Sequence, residues 1–486
     1  MPEGVARKAV KSSIYSLIAS MITLVLGAIR SILLARWLLP QYFGVMALAL
    51  IFLRLVNQLR SVGLQYGLIH RQDADPAFLR TFLSLYLGIG LAAASMLLAA
   101  VPLLQGLYPQ FPQLAGVLRL LILAFLISNF NAVQETLMRK NLEFKSLAVT
   151  DIVASLVTTI VAPALAWYGW GIWALVAEQI SGVSTRCLLA WGPFRQWRAS
   201  FGWDRDAARW FWNYGKSTWM ESNLAYYLDR FDDFWVGTVL GDAALGFYSK
   251  AFEFSHYPTR LIAAQLISVF TPVFARLQHD RVALSRSFFR SAYVILRTGA
   301  LAAGFLFLII PEFIHYVIGD KWLPMLWAFR LMLGYAIFNP VIVLIKGLLL
   351  TTGRPREALK TSAIQAVIFT PAVILGARLA AINGVALAAD GMLVIGILMA
   401  YRPLRRLVDF SSYRLAGPPL IALTISLSAS LWVGVILPNP AWLSVLVKSA
   451  LYLFLYAGLT LAMERKEAMR GIQMLWSLAR PEVETG

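Results

Sequence analysis

The stretch LDRFDDFWVG, residues 228–237, raises the question that decides the fold. It places Asp229, Arg230, Asp232 and Asp233 close together in a chain that is apolar on both sides of them. Either these charges belong to a soluble loop, or a helix holds them inside a membrane. The two alternatives predict different proteins, and the composition of the chain separates them.

The composition predicts a membrane protein. Of the 486 residues, 59% are hydrophobic and 14% are charged, whereas soluble domains average about 45–50% apolar and about 25% charged residues. The mean hydropathy is +0.68. Cys187 is the only cysteine, which excludes an intrachain disulfide and a thiolate metal cage.

Apolar runs of the length that crosses a bilayer, about 20 residues, recur along the chain and predict fourteen transmembrane helices. The predicted spans are 13–35, 41–66, 79–102, 114–137, 147–168, 170–192, 211–238, 244–274, 288–311, 323–350, 361–381, 384–401, 415–437 and 442–463. Nearly all Lys and Arg residues of the loops then fall on one side, and only Arg36 and Lys321 fall on the other. The positive-inside rule therefore predicts that both termini are cytoplasmic. It also accounts for most of the net charge of +18 without a nucleic-acid partner.

A weak internal repeat organises the chain. The segment ARWLLPQYFGVMA (35–47) aligns with GTVLGDAALGFYS (237–249) at an offset of 202, which matches Leu38 to Leu240 and Gly44 to Gly246. This predicts an all-α fold of two six-helix lobes with two further C-terminal helices. The predicted division is 1–210, 211–401 and 402–486, the last part ending in a cytoplasmic amphipathic tail. Two similar bundles would enclose a cavity for cargo near the middle of the membrane.

Basic residues inside the spans are the candidates for lining such a cavity, because buried charges in a membrane usually face water or a partner. At 100° per residue, Arg54, Asn57 and Gln58 share one face of span 2, and Lys250, Glu253 and Arg260 share one face of span 8. The predicted cargo-binding residues are Arg30, Arg54, Asn57, Lys216, Asn223, Asp229, Arg230, Lys250 and Arg260. Arg119, Arg186, Arg378 and Lys448 lie near span ends, where a long side chain reaches the interface.

Span 7 has polar residues on both sides. Asp232 and Asp233 are interpreted as structural acids that neutralise basic neighbours, and Arg230 is spaced to pair with Asp233 at i, i+3. Asp229 and Arg230 are predicted to face the cavity. A competing interpretation is that the arginines only balance acids such as Asp229 and Glu253.

Several motifs resemble the Wzx-type oligosaccharide flippases of the polysaccharide transporter family, within the multidrug/oligosaccharidyl-lipid/polysaccharide superfamily. They are ARWLLPQYFGVMALALIFL, LDRFDDFWVGTVLGDAALGFYSKAFEF, FTPVFARLQHD, VIGDKWLPMLWAFRLM and TTGRPREALK, and the similarity extends from about residue 12 to 400. The resemblance implies a fold related to multidrug and toxin extrusion carriers, rocking lobes around a cationic cavity, and a polyprenyl-diphosphate-linked oligosaccharide as cargo. Ser61 holds a position at which the family often has an acid.

This resemblance further implies a multi-pass protein of the bacterial cytoplasmic membrane that contacts membrane lipid. A polysaccharide polymerase and export machinery are candidate partners. Arginine suits a diphosphate because it binds phosphate in a bidentate manner and keeps its charge. No cofactor, metal or catalytic residue is predicted, since the four histidines lack metal-ligand spacing and no phosphate-binding glycine loop is present.

Two alternatives remain. A drug-efflux carrier of related fold normally needs acids to attract cations, whereas the charges inside these spans are mainly basic. A membrane polymerase, ligase or glycosyltransferase normally needs a large extramembrane loop, and the predicted external loops are short. The coupling ion is open, with Glu178, Glu221 and Asp229 as unranked candidates.

Overall fold

The computed structural model describes residues 3–60, 64–70, 75–436 and 441–479; the side chains of 3–14, 59–60, 212–222, 441–442 and 465–479, with those of Tyr66 and His70, lie outside the description. These residues form fifteen α-helices. They are α1 (Glu3–Trp37), α2 (Pro40–Arg60), α3 (Leu64–His70), α4 (Pro76–Leu107), α5 (Leu114–Lys140), α6 (Phe144–Trp167), α7 (Ile172–Trp191), α8 (Arg205–Leu240), α9 (Asp242–Ser255), α10 (Ala264–Leu277), α11 (Arg281–Glu312), α12 (Leu326–Thr351), α13 (Pro355–Leu407), α14 (Ser412–Ile436) and α15 (Ala441–Ala479). Short π-helical turns at Thr259–Ala263 and Phe313–Ile318 and a 3₁₀ helix at Asp320–Met325 complete the set.

The predicted all-α membrane fold is confirmed. Within the described ranges, eleven helices are long and apolar enough to cross a membrane. Helices α7 and α8 cover predicted spans 6 and 7 but are more polar, and α13 covers two predicted spans in one helix that is interrupted at Ala380 and Ala381. The structure is consistent with fourteen spans, and that number stays a prediction.

Large apolar side chains are exposed along the helices. Val435 and Leu379 are 85% and 84% exposed, and Phe454 is 77% exposed. Soluble monomers seldom leave so many large apolar side chains in water, because burying them is favourable. A lipid environment removes this cost, so the surface fits a membrane.

The chain forms two compact units, Met1–Ser249 and Lys250–Gly486. In the first unit α1 packs on α6, α5 packs on α4 and α7, and α2 packs on α8. In the second unit α12 packs on α13, and α11, α14 and α15 pack on one another. The predicted three-part division at residues 210 and 401 remains a prediction.

A core of aromatic side chains ties the start of α8 to α4 in the first unit. Phe78 stacks on Phe211 with the ring centroids 4.5 Å apart. The Asp204 carboxylate accepts a hydrogen bond from the backbone N–H of Ala207, and its own backbone N–H donates to Thr81 Oγ1, both at 2.9 Å. The acid therefore caps α8 and fixes where the helix begins.

The repeat noted in the sequence has a structural counterpart. Helix α2 begins at Pro40 and α9 begins at Asp242, which are 202 residues apart. A Cβ atom on Gly44 would lie 1.8 Å from the carbonyl oxygen of Asp242, and one on Gly246 would lie 1.9 Å from that of Pro40. The two helices thus cross at their N-terminal turns through a reciprocal backbone contact that only glycine permits.

Alanine at Gly44 or Gly246 is expected to destabilise the protein. The added methyl group meets backbone rather than a flexible side chain, so the helices must separate, at about 1–3 kcal/mol for overpacking. The midpoint of thermal unfolding of the purified protein measures the effect. Gly88→Ala is the matched control, because its Cβ would meet no atom within 4 Å. Equal midpoints for the Gly44 and Gly88 variants would contradict the prediction.

One prediction about span ends is wrong. Lys448 does not extend to an interface: it is only 8% exposed and pairs with Glu312 of α11. Arg186 pairs with Asp151 at 3.1 Å, with both side chains partly exposed. Arg119 and Arg378 are exposed, as predicted. Lys448 is held inside because Glu312 offers an opposite charge, which a single helix pattern does not reveal.

Candidate cationic site

The charged stretch at residues 228–237 lies within α8. Arg230 donates from its Nη1 atom to Asp233 Oδ2 at 2.9 Å, and its Nε atom lies 3.0 Å from Asp229 Oδ2. The Asp229 side chain is 48% exposed, the Arg230 side chain 22% and the Asp233 side chain 7%. Arg230 therefore bridges a buried acid and an accessible one.

Asp232 and Asp233 are both buried. Asp233 pairs with the basic Arg230, as predicted, whereas the hydrogen bond to Asp232 comes from a neutral residue. The hydroxyl of Tyr248 donates to Asp232 Oδ2 at 2.7 Å. The Oδ1 atom of each acid has no hydrogen-bond partner among the described residues. Since a buried unpaired carboxylate is unfavourable, Tyr248 and Arg230 are what allow α8 to carry these two acids.

Arg54 extends the cationic character onto α2. Its side chain is exposed, and it interacts electrostatically with Arg230, Asp233 and Asp229 of α8. One turn earlier, the carbonyl oxygen of Ile51 accepts a hydrogen bond from the Tyr226 hydroxyl at 2.8 Å. This contact holds α8 against α2 and places the two guanidinium groups in one region of the first unit. Arg54 forms no ion pair with an acid in the part of the chain that the structure describes.

Two arginines in one region can bind a phosphate group. Each guanidinium presents several N–H donors in a planar fork, which matches the oxygen atoms of a phosphate. The carboxylates of Asp229 and Asp233 hold the guanidinium of Arg230 in place, whereas the guanidinium of Arg54 is exposed. We call Arg54, Arg230 and Asp229 the cationic site.

An aromatic stripe along α8 was missed by the sequence analysis. Tyr227, Phe231 and Trp235 stack in succession, with ring centroids 5.0 and 6.0 Å apart. Their i, i+4, i+8 spacing was a visible signal. Aromatic pairs at i, i+4 stabilise a helix, here the one that carries Arg230.

Arg30 and Lys250 are engaged within their own units. Arg30 of α1 donates to Thr158 Oγ1 at 2.6 Å and pairs with Glu178 of α7 at 2.8 Å. Lys250 is 6% exposed and pairs with Glu253 at 2.7 Å. Both charges are thus neutralised locally, and a direct role in cargo binding stays a prediction for each.

The other predicted residues are more dispersed. Arg260 lies in the π-helical turn of the second unit with an exposed side chain. Asn57 and Asn223 are partly buried on α2 and α8 and have interactions of their own. The side chains of Lys216 and Glu221, and residue Ser61, lie outside the described residues.

The described residues contain no group of three His, Cys, Asp or Glu side chains arranged to hold a metal ion. The acids of α8 are instead occupied by Arg230 and by Tyr248. The guanidinium groups of Arg54 and Arg230 are donors of the kind that suit an anion, and Asp229 and Asp233 orient Arg230.

Comparison with known proteins gives a consistent result. The family model described as "Polysaccharide biosynthesis protein" matches residues 33–327, which is more than half of the chain. The chain is 24% identical over 412 residues to the lipopolysaccharide biosynthesis protein WzxC of Escherichia coli (strain K12), covering 84% of this chain and 83% of that protein.

Solved structures show the same fold. The lipid II flippase MurJ in an inward closed conformation superposes with a TM-score of 0.73 at 14% identity, covering 94% of this chain and 99% of MurJ. An inward-facing multidrug resistance MATE family transporter of the MOP superfamily gives a TM-score of 0.58 at 14% identity, covering 82% and 95%. The predicted relation to the multidrug and toxin extrusion fold is confirmed.

Proposed function

Because the chain belongs to the polysaccharide biosynthesis protein family, we propose that it is a flippase that moves a polyprenyl-diphosphate-linked oligosaccharide from one leaflet of a membrane to the other. The observation that carries the proposal is the cationic site. Arg54 and Arg230 lie on α2 and α8, which pack together within a membrane-spanning unit. Placing a charged side chain inside a membrane is energetically costly, so such residues usually serve a function.

The diphosphate explains the need for arginines. A diphosphate carrying sugars cannot enter hydrocarbon unaided, since transfer of an ion out of water is very unfavourable. Guanidinium groups replace the water around phosphate oxygens and keep their charge in a site of low polarity. Arg54 would bind the head group directly, and Arg230, oriented by Asp229 and Asp233, would supply the second fork.

Transport rather than catalysis fits the residues. The relative WzxC is named for lipopolysaccharide biosynthesis, and MurJ is named as a flippase of lipid II. Acids that would be read as a metal-binding motif in a glycosyltransferase are engaged by Arg230 and Tyr248. An efflux carrier for organic cations is favoured less, because the accessible acid of the site, Asp229, is already paired with Arg230, whereas the exposed Arg54 forms no ion pair among the described residues.

Further parts of the proposal rest on the sequence. We propose alternating access as the mechanism, location in the bacterial cytoplasmic membrane, and cytoplasmic termini, the last from the positive-inside rule. A polymerase and export machinery that use the translocated repeat unit are the proposed partners. The unranked candidates for coupling are Glu178, which pairs with Arg30, Asp229, which pairs with Arg230, and Glu221, whose side chain lies outside the described residues.

Purified protein in liposomes is expected to move a polyprenyl-diphosphate-linked oligosaccharide between leaflets without changing its covalent structure. The measurement is the fraction of labelled glycan that becomes accessible to an impermeant glycosidase, followed by mass analysis of the recovered lipid. Protein-free liposomes are the control, because they cannot lower the barrier for a charged head group.

Two outcomes would contradict the proposal. If the recovered lipid carried a longer glycan, or if the glycan had moved to another acceptor, the protein would be a polymerase or ligase. If no lipid-linked glycan crossed while an organic cation did, the protein would be an efflux carrier.

A further inference from the structure

A polar cavity lies between α5, α6 and α7, apart from the cationic site. Its volume is about 290 Å³. Each helix contributes one stripe of residues at helical spacing. The lining residues are Ser128, Asn131, Glu135, Arg139, Leu147, Thr150, Asp151, Val183 and Arg186.

The charges of the cavity balance. Arg186 Nε donates to Asp151 Oδ1 at 3.1 Å across α6 and α7. Asn131 Nδ2 donates to Glu135 Oε1 at 2.5 Å along α5. With Arg139 at the mouth, two guanidinium groups face two carboxylates, so the lining has no net charge. A bare cation in the cavity would be repelled by the two arginines, and a phosphate would be repelled by the two carboxylates. The lining therefore disfavours the binding of either ion.

One buried polar atom in the lining of the cavity lacks a partner. Asn131 is 3% exposed, and its Oδ1 atom has no hydrogen-bond partner among the described residues. On the same helix Gln134 uses both ends of its amide, donating to Trp197 O at 2.6 Å and accepting from Gln196 N at 2.9 Å. A buried acceptor without a partner is unfavourable, and a hydroxyl group entering the cavity would satisfy it.

The lining offers donors and acceptors in alternation. Arginines donate, carboxylates and the Asn131 oxygen accept, and the Ser128 hydroxyl can do both. The Thr150 hydroxyl donates to Ser146 O at 2.8 Å and can therefore only accept from a ligand. A sugar ring presents neighbouring hydroxyls that likewise donate and accept. The volume is close to the lower limit of about 300 Å³ for small-molecule sites, which suits one monosaccharide unit and excludes a whole oligosaccharide.

The cavity is placed where cargo would be loaded. It lies at the C-terminal end of α5 and in the first two turns of α6, and the helix ends on either side of the loop that joins them carry Arg139, Lys140 and Lys145. The positive-inside rule puts such a loop on the cytoplasmic side. Phe130 of α5 stacks on Trp191 of α7 with the rings 4.2 Å apart, which fixes the two helices beside the cavity.

We propose that the cavity between α5, α6 and α7 is a sugar subsite, which binds one monosaccharide unit of the cargo glycan on the cytoplasmic side. This inference rests on the proposed flippase function and adds a means of selecting the glycan. Asn131 and Glu135 accept hydrogen bonds from sugar hydroxyls, and Arg139 and Arg186 donate to them. The diphosphate is bound elsewhere, at the cationic site.

The test compares the binding of two lipids to the purified full-length protein. One is a polyprenyl diphosphate that carries the complete repeat unit, and the other carries only the first sugar. Wild-type protein is expected to bind the complete unit about tenfold more tightly, since one good hydrogen bond to a charged group has that effect on a dissociation constant. Asn131→Leu and Glu135→Gln are expected to remove this preference and to leave the affinity for the one-sugar lipid unchanged.

Asn129→Leu is the matched control for the asparagine. Asn129 lies two residues earlier on α5, is 1% exposed, and has no hydrogen-bond partner for either amide atom among the described residues. It faces Gly90 of α4 instead of the cavity. The control variant is expected to retain the preference. Glu135→Gln has nearly the wild-type shape and keeps the test decisive if Asn131→Leu does not accumulate.

The remaining outcomes overturn the subsite or the function separately. A wild-type protein without preference for the complete unit, or variants that keep the preference, would show that the cavity holds only water. Equal weakening of both lipids by the variants would assign Glu135 to coupling or to folding. If wild-type protein bound neither lipid, the proposed flippase function itself would fail.

Discussion

Alanine at Arg54 is expected to lower the rate of flipping about 100-fold in liposomes while the protein inserts and accumulates normally. A charged bidentate contact is worth more than one ordinary hydrogen bond, and two such bonds at about 1.5 kcal/mol each correspond to roughly that factor. Accumulation is preserved because Arg54 is exposed and pairs with no acid among the described residues. Its removal therefore leaves no buried carboxylate without a partner.

Two further variants sharpen this prediction. Arg54→Lys keeps the charge but loses the planar fork, so we expect only partial recovery of flipping. Arg119→Ala is the control, since Arg119 is also exposed on a helix but lies outside the cationic site. Wild-type flipping by Arg54→Ala would remove Arg54 from cargo binding. Arg230 gives a less direct test because its loss also leaves the buried Asp233 unpaired.

Alanine at Glu464 is expected to destabilise the second unit by about 3–5 kcal/mol, as for other buried ion pairs that lose one member. Glu464 of α15 accepts two hydrogen bonds from Arg297 of α11, at 2.6 and 2.9 Å, and both residues are less than 10% exposed. The same guanidinium donates to the carbonyl oxygens of Leu415 and Arg414 in α14, at 2.7 and 3.0 Å. One arginine thus joins three helices.

The measurement is the amount of folded protein in membranes and its thermal midpoint in detergent. Asp409→Ala is the matched control, because Asp409 pairs with Arg281 at 3.0 Å with both side chains more than half exposed; exposed pairs contribute about 0–1 kcal/mol. The double variant Arg297→Met, Glu464→Leu is expected to lose less stability than Glu464→Ala, since it leaves no buried charge. Equal midpoints for Glu464→Ala and Asp409→Ala would contradict the prediction.

Much of the fold was available from the sequence because it depends on local patterns. Apolar length identifies helices that cross a bilayer, and the distribution of Lys and Arg between loops orients them. The pairing of Arg230 with Asp233 was also predictable, since i, i+3 spacing brings side chains together on any helix. The repeat of Gly44 and Gly246 indicated related positions in the two halves.

The ion-pair partners of the charged residues inside the spans could not be predicted from the sequence. Nothing in the spacing of α1 indicates that Arg30 meets Glu178 and Thr158, or that Lys448 meets Glu312. The cavity that contains Asn131 was missed for the same reason, since it requires α5, α6 and α7 to meet at particular rotations. A helical stripe shows which side chains share a face but not what that face packs against.

The sequence by itself determined the environment, the helical architecture and the family resemblance, because hydrophobic length and charge asymmetry act on each segment separately. Only the tertiary structure decided which charges are neutralised and which stay accessible. Arg54 and Arg30 are both arginines within apolar spans, yet one is exposed beside Arg230 and the other is paired with Glu178. The physical reason is that the energy of a charge inside a membrane protein depends on the neighbouring helices that supply its partners, and those neighbours are fixed only by packing.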